Sequence, residues 1–184
     1  MVGLIIAPNN VSYLNSVLSL IAVALGAGAA GTLNMWYESD LDALMTRTCL
    51  RPIPTGQVTK NQALFFGILL SIGSITLLYF SSNLMSASLL FLTICFYFFI
   101  YTVWLKRRTP QNIVIGGAAG ALPPLIGWTI ATGSLSIEPL ILFLIIFLWT
   151  PSHFWALSIY KSNDYKKAKI PMLPIIYGIE KTKK

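Results

Sequence analysis

Five apolar stretches, near residues 12–33, 62–80, 84–105, 112–132 and 139–160, constrain this chain more than any other feature. A helix needs about 20 residues to cross a hydrocarbon core, and each stretch reaches or nearly reaches that length. Charged residues make up only 10% of the sequence and apolar ones 55%, whereas roughly a quarter of a typical soluble domain is charged. The chain shows no series of ten-residue alternating segments, the signature of a transmembrane barrel. The fold class expected is therefore all-α, a polytopic transmembrane helix bundle with about five complete spans.

The basic residues orient these spans. All 13 Lys and Arg fall on alternate connections: Arg47, Arg51 and Lys60 after the first span, Lys106, Arg107 and Arg108 after the third, and the rest after the fifth. The connections near 81–83 and 133–138 carry none, and the second of them holds Glu138. Lys and Arg accumulate in cytoplasmic loops, so the base-bearing connections are expected in the cytoplasm. The net charge of +7 then reflects topology and either the anionic inner leaflet or an anionic substrate, with no reason to invoke nucleic acid. The same arithmetic leaves the N-terminus outside. Met1 to Pro8 is apolar but lacks the positive n-region and cleavage site of a signal peptide, and it reads as the end of an earlier helix. The chain is accordingly expected to be a piece of a larger protein, with Lys181-Thr-Lys-Lys184 lying in a basic loop of the kind that precedes another span.

Three of the six acidic residues, Glu38, Asp40 and Asp42, fall within five positions where the first span ends. If the helix continues, Asn34, Glu38 and Asp42 lie at i, i+4 and i+8 and form one polar stripe of oxygen ligands. Carboxylates this close repel unless a cation lies between them, so the stripe reads as a divalent-metal site at a membrane face. Arg47 and Arg51 follow, four residues apart, with Pro52 and Pro54 to stiffen the loop. They either neutralise the acids and obey the charge rule, or join a metal in holding a phosphate-bearing substrate. Lys106-Arg107-Arg108 alone is a stop-transfer cluster. His153, the only histidine, lies within or near the fifth span, where an ionisable group is either functional or a satisfied packing residue. Asp164 follows the same helix and can meet the first cluster across the bundle.

Other motifs have plainer readings. Gly26, Gly28 and Gly31 match G-x-G-x-x-G, yet they sit in a span with no preceding strand, so close helix packing is the better account. Gly116-Gly-Ala-Ala-Gly120 reads the same way, and Pro123-Pro124 should kink or break its helix and free backbone groups to line a cavity. Cys49 and Cys95 lack metal spacing and read as reduced thiols. Trp36, Tyr37, Trp104 and Tyr160 read as interfacial aromatics.

The segments NMWYESDLDALMTRTCLRPIPTG, YTVWLKRRTPQNIVIGGAAGALPPLIGW, WTPSHFWALSIYKSNDY and AKIPMLP, in this order, carry a specific resemblance over nearly the whole chain. They resemble the haem-farnesylating branch of the UbiA-type intramembrane prenyltransferases. The resemblance implies that residues 1–184 form a single transmembrane prenyltransferase domain, truncated at both ends, in a bacterial inner membrane with its site on the cytoplasmic side. Asn34, Glu38 and Asp42 correspond to the N-x-x-x-D-x-x-x-D motif that binds Mg²⁺ and the prenyl diphosphate, with Glu where Asp is usual. Asp164 corresponds to the second acidic motif and would complete the metal ligands, although Ala168 stands where D-x-x-x-D needs its other acid.

The implied reaction joins farnesyl diphosphate to haem B. Mg²⁺ and the set Asp40, Arg47, Arg51, Lys106, Arg107 and Lys161 would hold the substrate and its leaving diphosphate. A haem B vinyl group would attack C1 of the farnesyl chain, and water would supply the hydroxyl of haem O. His153 would join the catalytic set Asn34, Glu38, Asp42 and Asp164, as an iron ligand or a proton carrier. Haem A synthase or terminal-oxidase assembly factors are the partners implied beyond the lipid bilayer. Two alternatives stand beside this reading: a relative acting on a quinone precursor, and a cation transporter. A transporter's acids should lie near the bilayer centre, whereas these gather at one end beside arginines.

Overall fold

The computed structural model describes residues 1–182, so Lys183 and Lys184 of the basic C-terminal stretch lie outside the described residues. Its elements are all helical: α1 (Val2–Ile6), α2 (Tyr13–Tyr37), α3 (Ser39–Asp42), α4 (Lys60–Ser81), α5 (Leu84–Cys95), a π-helix (Phe96–Leu105), α6 (Asn112–Ala121), α7 (Pro123–Thr132), α8 (Ile137–Tyr160), α9 (Ser162–Lys167), α10 (Leu173–Tyr177) and α11 (Ile179–Thr182). Five helical segments are long and apolar enough to span a membrane: Tyr13–Tyr37, Lys60–Ser81, Leu84–Leu105, Asn112–Thr132 and Ile137–Tyr160. They coincide with the five apolar runs to within a few residues. The protein is a multi-pass membrane protein.

Local chemistry sets where the spans begin and end. The Ser12 hydroxyl accepts from the Asn15 backbone at the start of α2, and Thr59 with Gln62 forms a reciprocal capping box on α4. Asn83 caps α5 by accepting from the Ser86 backbone at 2.9 Å. The fourth span breaks at Leu122, and Pro123 then takes the first turn of α7, where a missing N–H costs nothing. Gly133, at φ 69°, ends α7 in the left-handed conformation that glycine adopts without strain. The break expected from the proline pair is thus present.

The broken span is the axis of the bundle. Within its most apolar stretch 61% of Asn112–Thr132 is buried, against 6% for Ile137–Tyr160. Leu78, Leu90, Ile94, Ile126 and Ile130 form the central apolar cluster between α4, α5 and α7. The outward faces carry Phe65, Phe66, Ile72, Leu144, Ile145 and Leu148, which suits hydrocarbon and would be untenable in water.

Small residues allow the closest approaches, because lipid-embedded helices gain most from van der Waals fit. A Cβ on Gly116 would lie 2.2 Å from the Tyr101 ring, and one on Gly26 would lie 2.7 Å from Leu90. Packing does not account for Gly28, Gly31 or Gly120, contrary to the sequence-based expectation. Nothing lies within 4 Å of a Cβ built on any of them. Gly31 and Gly120 face a cavity instead.

Side-chain bonds tie the two ends of the bundle differently. At the base-free end Asn83 donates to the Thr129 carbonyl at 2.7 Å, and the Ser19 and Ser81 hydroxyls meet at 3.0 Å. At the other end the ties are the ion pairs of Glu38, Asp40 and Asp42, the Thr46–Asp164 bond and an amide-to-hydroxyl bond from Asn34 to Thr102. That end holds the acids Glu38, Asp40, Asp42 and Asp164.

Candidate active site

The polar stripe survives a local departure from helix. α2 ends at Tyr37, and Glu38 sits between helices with φ −99° and ψ 16°. Glu38 N–H still donates to Asn34 O and Asp42 N–H to Glu38 O, both at 2.9 Å. Asn34, Glu38 and Asp42 therefore share one face, and all three line a cavity of ≈ 510 Å³. Arg47, Arg51, Lys106 and His153 line it as well.

The two buried acids of the stripe each have a cation. Arg51 Nη1 donates to both Asp42 oxygens, at 3.0 and 2.8 Å, and Lys106 Nζ donates to Glu38 Oε2. Asn34 Nδ2 donates to the same Glu38 oxygen at 2.8 Å. The other oxygen, Glu38 Oε1, is buried without a hydrogen-bond partner among the described residues. Burial of a carboxylate oxygen with nothing to bind it is unfavourable and calls for a cation or donor from outside the chain.

The remaining predicted residues lie outside the cavity. Asp40 and Arg107 form a two-pronged pair at 3.0 and 2.8 Å, and both are exposed. Partial burial pushes the Asp40 carboxyl up, but the Arg107 hydrogen bond and charge outweigh it and hold the carboxyl below its usual value. Lys161 lies 5.0 Å from the Tyr160 ring centre. Asp164 does not join the first cluster directly. It accepts from Thr46 Oγ1 at 2.6 Å, which holds its carboxyl below the usual range, and Thr46 stands between the lining residues Met45 and Arg47. Met45, Ile113, Tyr165, Ala168, Ile170 and Met172 pack together beneath this link and fix the segment after α8 against the loop after α3.

The site also contains residues that sequence reasoning did not single out. Tyr97, Tyr101 and Thr102 belong to the π-helix, a form that is rare and usually a single turn at a functional position. An α-helix, at about 100° per residue, would spread Tyr97, Tyr101, Thr102 and Lys106 over about half its circumference. The wider i→i+5 turn, about 80–85° per residue, gathers them into about a quarter of it. Thr102 Oγ1 accepts from Asn34 Nδ2 at 3.2 Å, and Tyr97, Tyr101 and Lys106 line the cavity.

Among the described residues no three His, Cys, Asp or Glu side chains come together as a metal cage. Such a cage is not what Mg²⁺ requires. That ion is usually held by one or two carboxylates, with water and substrate phosphates filling its octahedron. Two carboxylates, one of them offering the partnerless Glu38 oxygen, and an amide fit it. The tetrahedral nitrogen and sulfur sites of zinc have no counterpart here.

The profile of the UbiA prenyltransferase family matches residues 1–184. The chain belongs to the UbiA prenyltransferase family. It is 70% identical over 182 residues to the protohaem IX farnesyltransferase of Pelagibacter ubique, covering 99% of this chain and 60% of that one. The protohaem IX farnesyltransferase of Ehrlichia ruminantium is 60% identical over 181 residues, covering 98% of this chain and 61% of the relative. The chain thus spans about three-fifths of the length of these curated relatives. The fold resembles a solved UbiA homologue from Archaeoglobus fulgidus bound to DMAPP and Mg²⁺, with a TM-score of 0.77. At 18% identity, over 98% of this chain and 64% of that one, the likeness shows a UbiA fold.

Proposed function

We propose that this chain forms the diphosphate end of a protohaem IX farnesyltransferase, joining farnesyl diphosphate to haem B to give haem O. The observation that carries the proposal is the cavity itself. It presents Asn34, Glu38 and Asp42 beside three cations over an apolar interior, and high-identity relatives bear the name of that enzyme.

The cavity residues divide the work. Bound Mg²⁺ would supply positive charge to the diphosphate as the C1–O bond breaks. Asn34, Glu38 and Asp42 would hold that ion, and Glu38 Oε1 is the oxygen with no competing partner among the described residues. Arg51 and Lys106, now neutralising Asp42 and Glu38, turn to the diphosphate once the acids have a metal. Arg47 makes no salt bridge among the described residues and is free to join them. Asp164 holds Thr46, and through it the Arg47 loop. Lys161 acts at the mouth by attracting the anionic substrate rather than by touching it, and Asp40 holds Arg107 in place there.

A second cavity, apolar and ≈ 320 Å³, shares Tyr97 and Gly120 with the first. The isoprenoid chain lies there, along Val23, Ala30, Gly31 and Ile94. Its walls keep water from the allylic cation until a haem vinyl carbon bonds to C1. The resulting cation on the former vinyl group takes hydroxide from water, whose remaining proton is released, and the diphosphate freed from C1 departs. His153 stacks on Trp149 with ring centres 4.3 Å apart and lines the polar cavity, facing the haem as an iron ligand or proton carrier. The site faces the cytoplasm of the bacterial inner membrane, because every basic connection lies at its end. Haem O then serves oxidase assembly.

The test is product formation by the membrane-reconstituted protein given haem B, farnesyl diphosphate and Mg²⁺. Mass spectrometry should find haem carrying one farnesyl group plus one water. Prenylation of a quinone precursor with haem untouched would overturn the acceptor assignment, and loss of neither substrate would overturn the enzyme.

A further inference from the structure

Asn34 has one amide orientation open to it, and Thr102 sets that orientation. Asn34 is buried, and its Nδ2 donates to Glu38 Oε2 at 2.8 Å and to Thr102 Oγ1 at 3.2 Å. Both amide protons are then used. Thr102 is fully buried, and its own proton goes to the Tyr97 carbonyl at 3.0 Å. A hydroxyl whose proton is committed can only accept, so it selects the nitrogen of Asn34 and rejects the oxygen. Turning the amide over would set its carbonyl against the Glu38 carboxylate and the Thr102 lone pairs together. Asn34 lines the polar cavity, and Oδ1 is the polar atom it has left to offer there.

The π-helix makes this possible. In an α-helix a threonine hydroxyl bonds back to the carbonyl four residues earlier. Here the bond reaches five residues back, from Thr102 to Tyr97, in register with the wider turn. The same turn ends at Lys106, whose backbone N–H donates to the Tyr101 carbonyl at 2.9 Å, again five residues back. One backbone irregularity therefore aims both the hydroxyl that holds Asn34 and the ammonium that holds Glu38.

We propose that Thr102 is a positioning residue, which locks the Asn34 amide so that Oδ1 faces the divalent cation of this site. The proposal rests on the reading of Asn34, Glu38 and Asp42 as a metal–diphosphate site. Groups that orient metal ligands from behind change metal affinity by roughly 10–100-fold when removed.

The experiment titrates Mn²⁺, a paramagnetic stand-in for Mg²⁺, into the nanodisc-reconstituted protein without substrate and follows bound metal by electron paramagnetic resonance. Thr102→Val should weaken Mn²⁺ binding by about 10-fold or more, and Thr102→Ser, which keeps the hydroxyl, should retain wild-type affinity. In an Asn34→Ala background Thr102→Val should add no further loss. Thr102→Ala replaces the valine variant if that one does not fold, as judged by thermal unfolding. Wild-type affinity in Thr102→Val, or equal loss in Thr102→Ser, would overturn the positioning role. Undiminished binding in Asn34→Ala with loss in Asp42→Asn would also overturn it while leaving the metal site standing. Failure of the wild-type protein to bind Mn²⁺ would remove the metal site and this inference together.

Discussion

Replacing Lys106 by methionine removes the cation from Glu38 while keeping most of the side-chain volume. The pair is well shielded, with side-chain exposures of 19% for Lys106 and 2% for Glu38. Breaking a buried ion pair by deleting one partner costs about 3–5 kcal/mol, because the remaining charge is stranded. Glu38 Oε2 keeps its bond from Asn34 while Oε1 has no partner, so one hydrogen bond is left to offset the charge. A loss near the lower end, about 3 kcal/mol, follows. For a protein of this size that corresponds to a fall of about 6–12 °C in Tm. Thermal unfolding in nanodiscs without divalent metal reads it directly. Adding Glu38→Gln to the Lys106→Met protein should recover most of the loss, since an amide carries no charge to strand. A loss below about 1 kcal/mol, the value of an exposed pair, would refute the claim that Glu38 is held in a dry, cation-dependent setting.

Three other outcomes follow from the geometry. Gly120→Leu, where a Cβ meets nothing within 4 Å, should fill the junction of the two cavities and weaken farnesyl diphosphate binding far more than that of a shorter prenyl diphosphate; equal weakening would separate the second cavity from the chain. His153→Ala should abolish haem O formation with Mg²⁺-dependent farnesyl diphosphate binding intact, as measured by separate titrations, whereas equal weakening of both substrates would make it a packing residue. The Asp164 carboxyl sits below its usual value because Thr46 donates to it. A lowered carboxyl contributes fully above its ordinary range and loses that contribution as the pH falls toward the folded value. The protection of α9 amides, expressed relative to their intrinsic exchange rate at each pH, should therefore fall on acidification in the wild type, and the same pH step should have little effect on it in Thr46→Val.

The spans were legible because each is a long apolar run, and a hydrocarbon solvent leaves such a run few options. The break at Pro123 was legible for an equally local reason, the missing backbone donor. The π-helix was not. Apart from Thr102, Phe96 to Leu105 is apolar or aromatic on every side, and one polar residue sets no period from which a wider turn could be read. Tyr97, Tyr101 and Thr102 escaped notice with it. The stripe Asn34, Glu38 and Asp42 was read correctly as one face, although the helix pauses at Glu38, because the i→i−4 backbone bonds persist.

Charges at one end look alike in a linear sequence, which gives depth along the bundle but not radial direction. Lys106 and Arg107 are adjacent, yet the first faces Glu38 within the cavity and the second pairs with Asp40 at the surface. Gly31 and Gly120 failed for a related reason. A small residue reads as a close contact, but its absence of side chain serves equally to keep a cavity open.

The central claim is that Asn34, Glu38 and Asp42 hold a magnesium-bound diphosphate, and calorimetric titration of farnesyl diphosphate into the nanodisc protein tests it most directly. Binding should require Mg²⁺ in the wild type and should be lost in Asp42→Asn, which alters a ligand's charge with almost no change in volume. Membrane insertion and yield of the variant should match the wild type. Binding of equal strength with and without Mg²⁺, or unchanged by Asp42→Asn, would contradict the account.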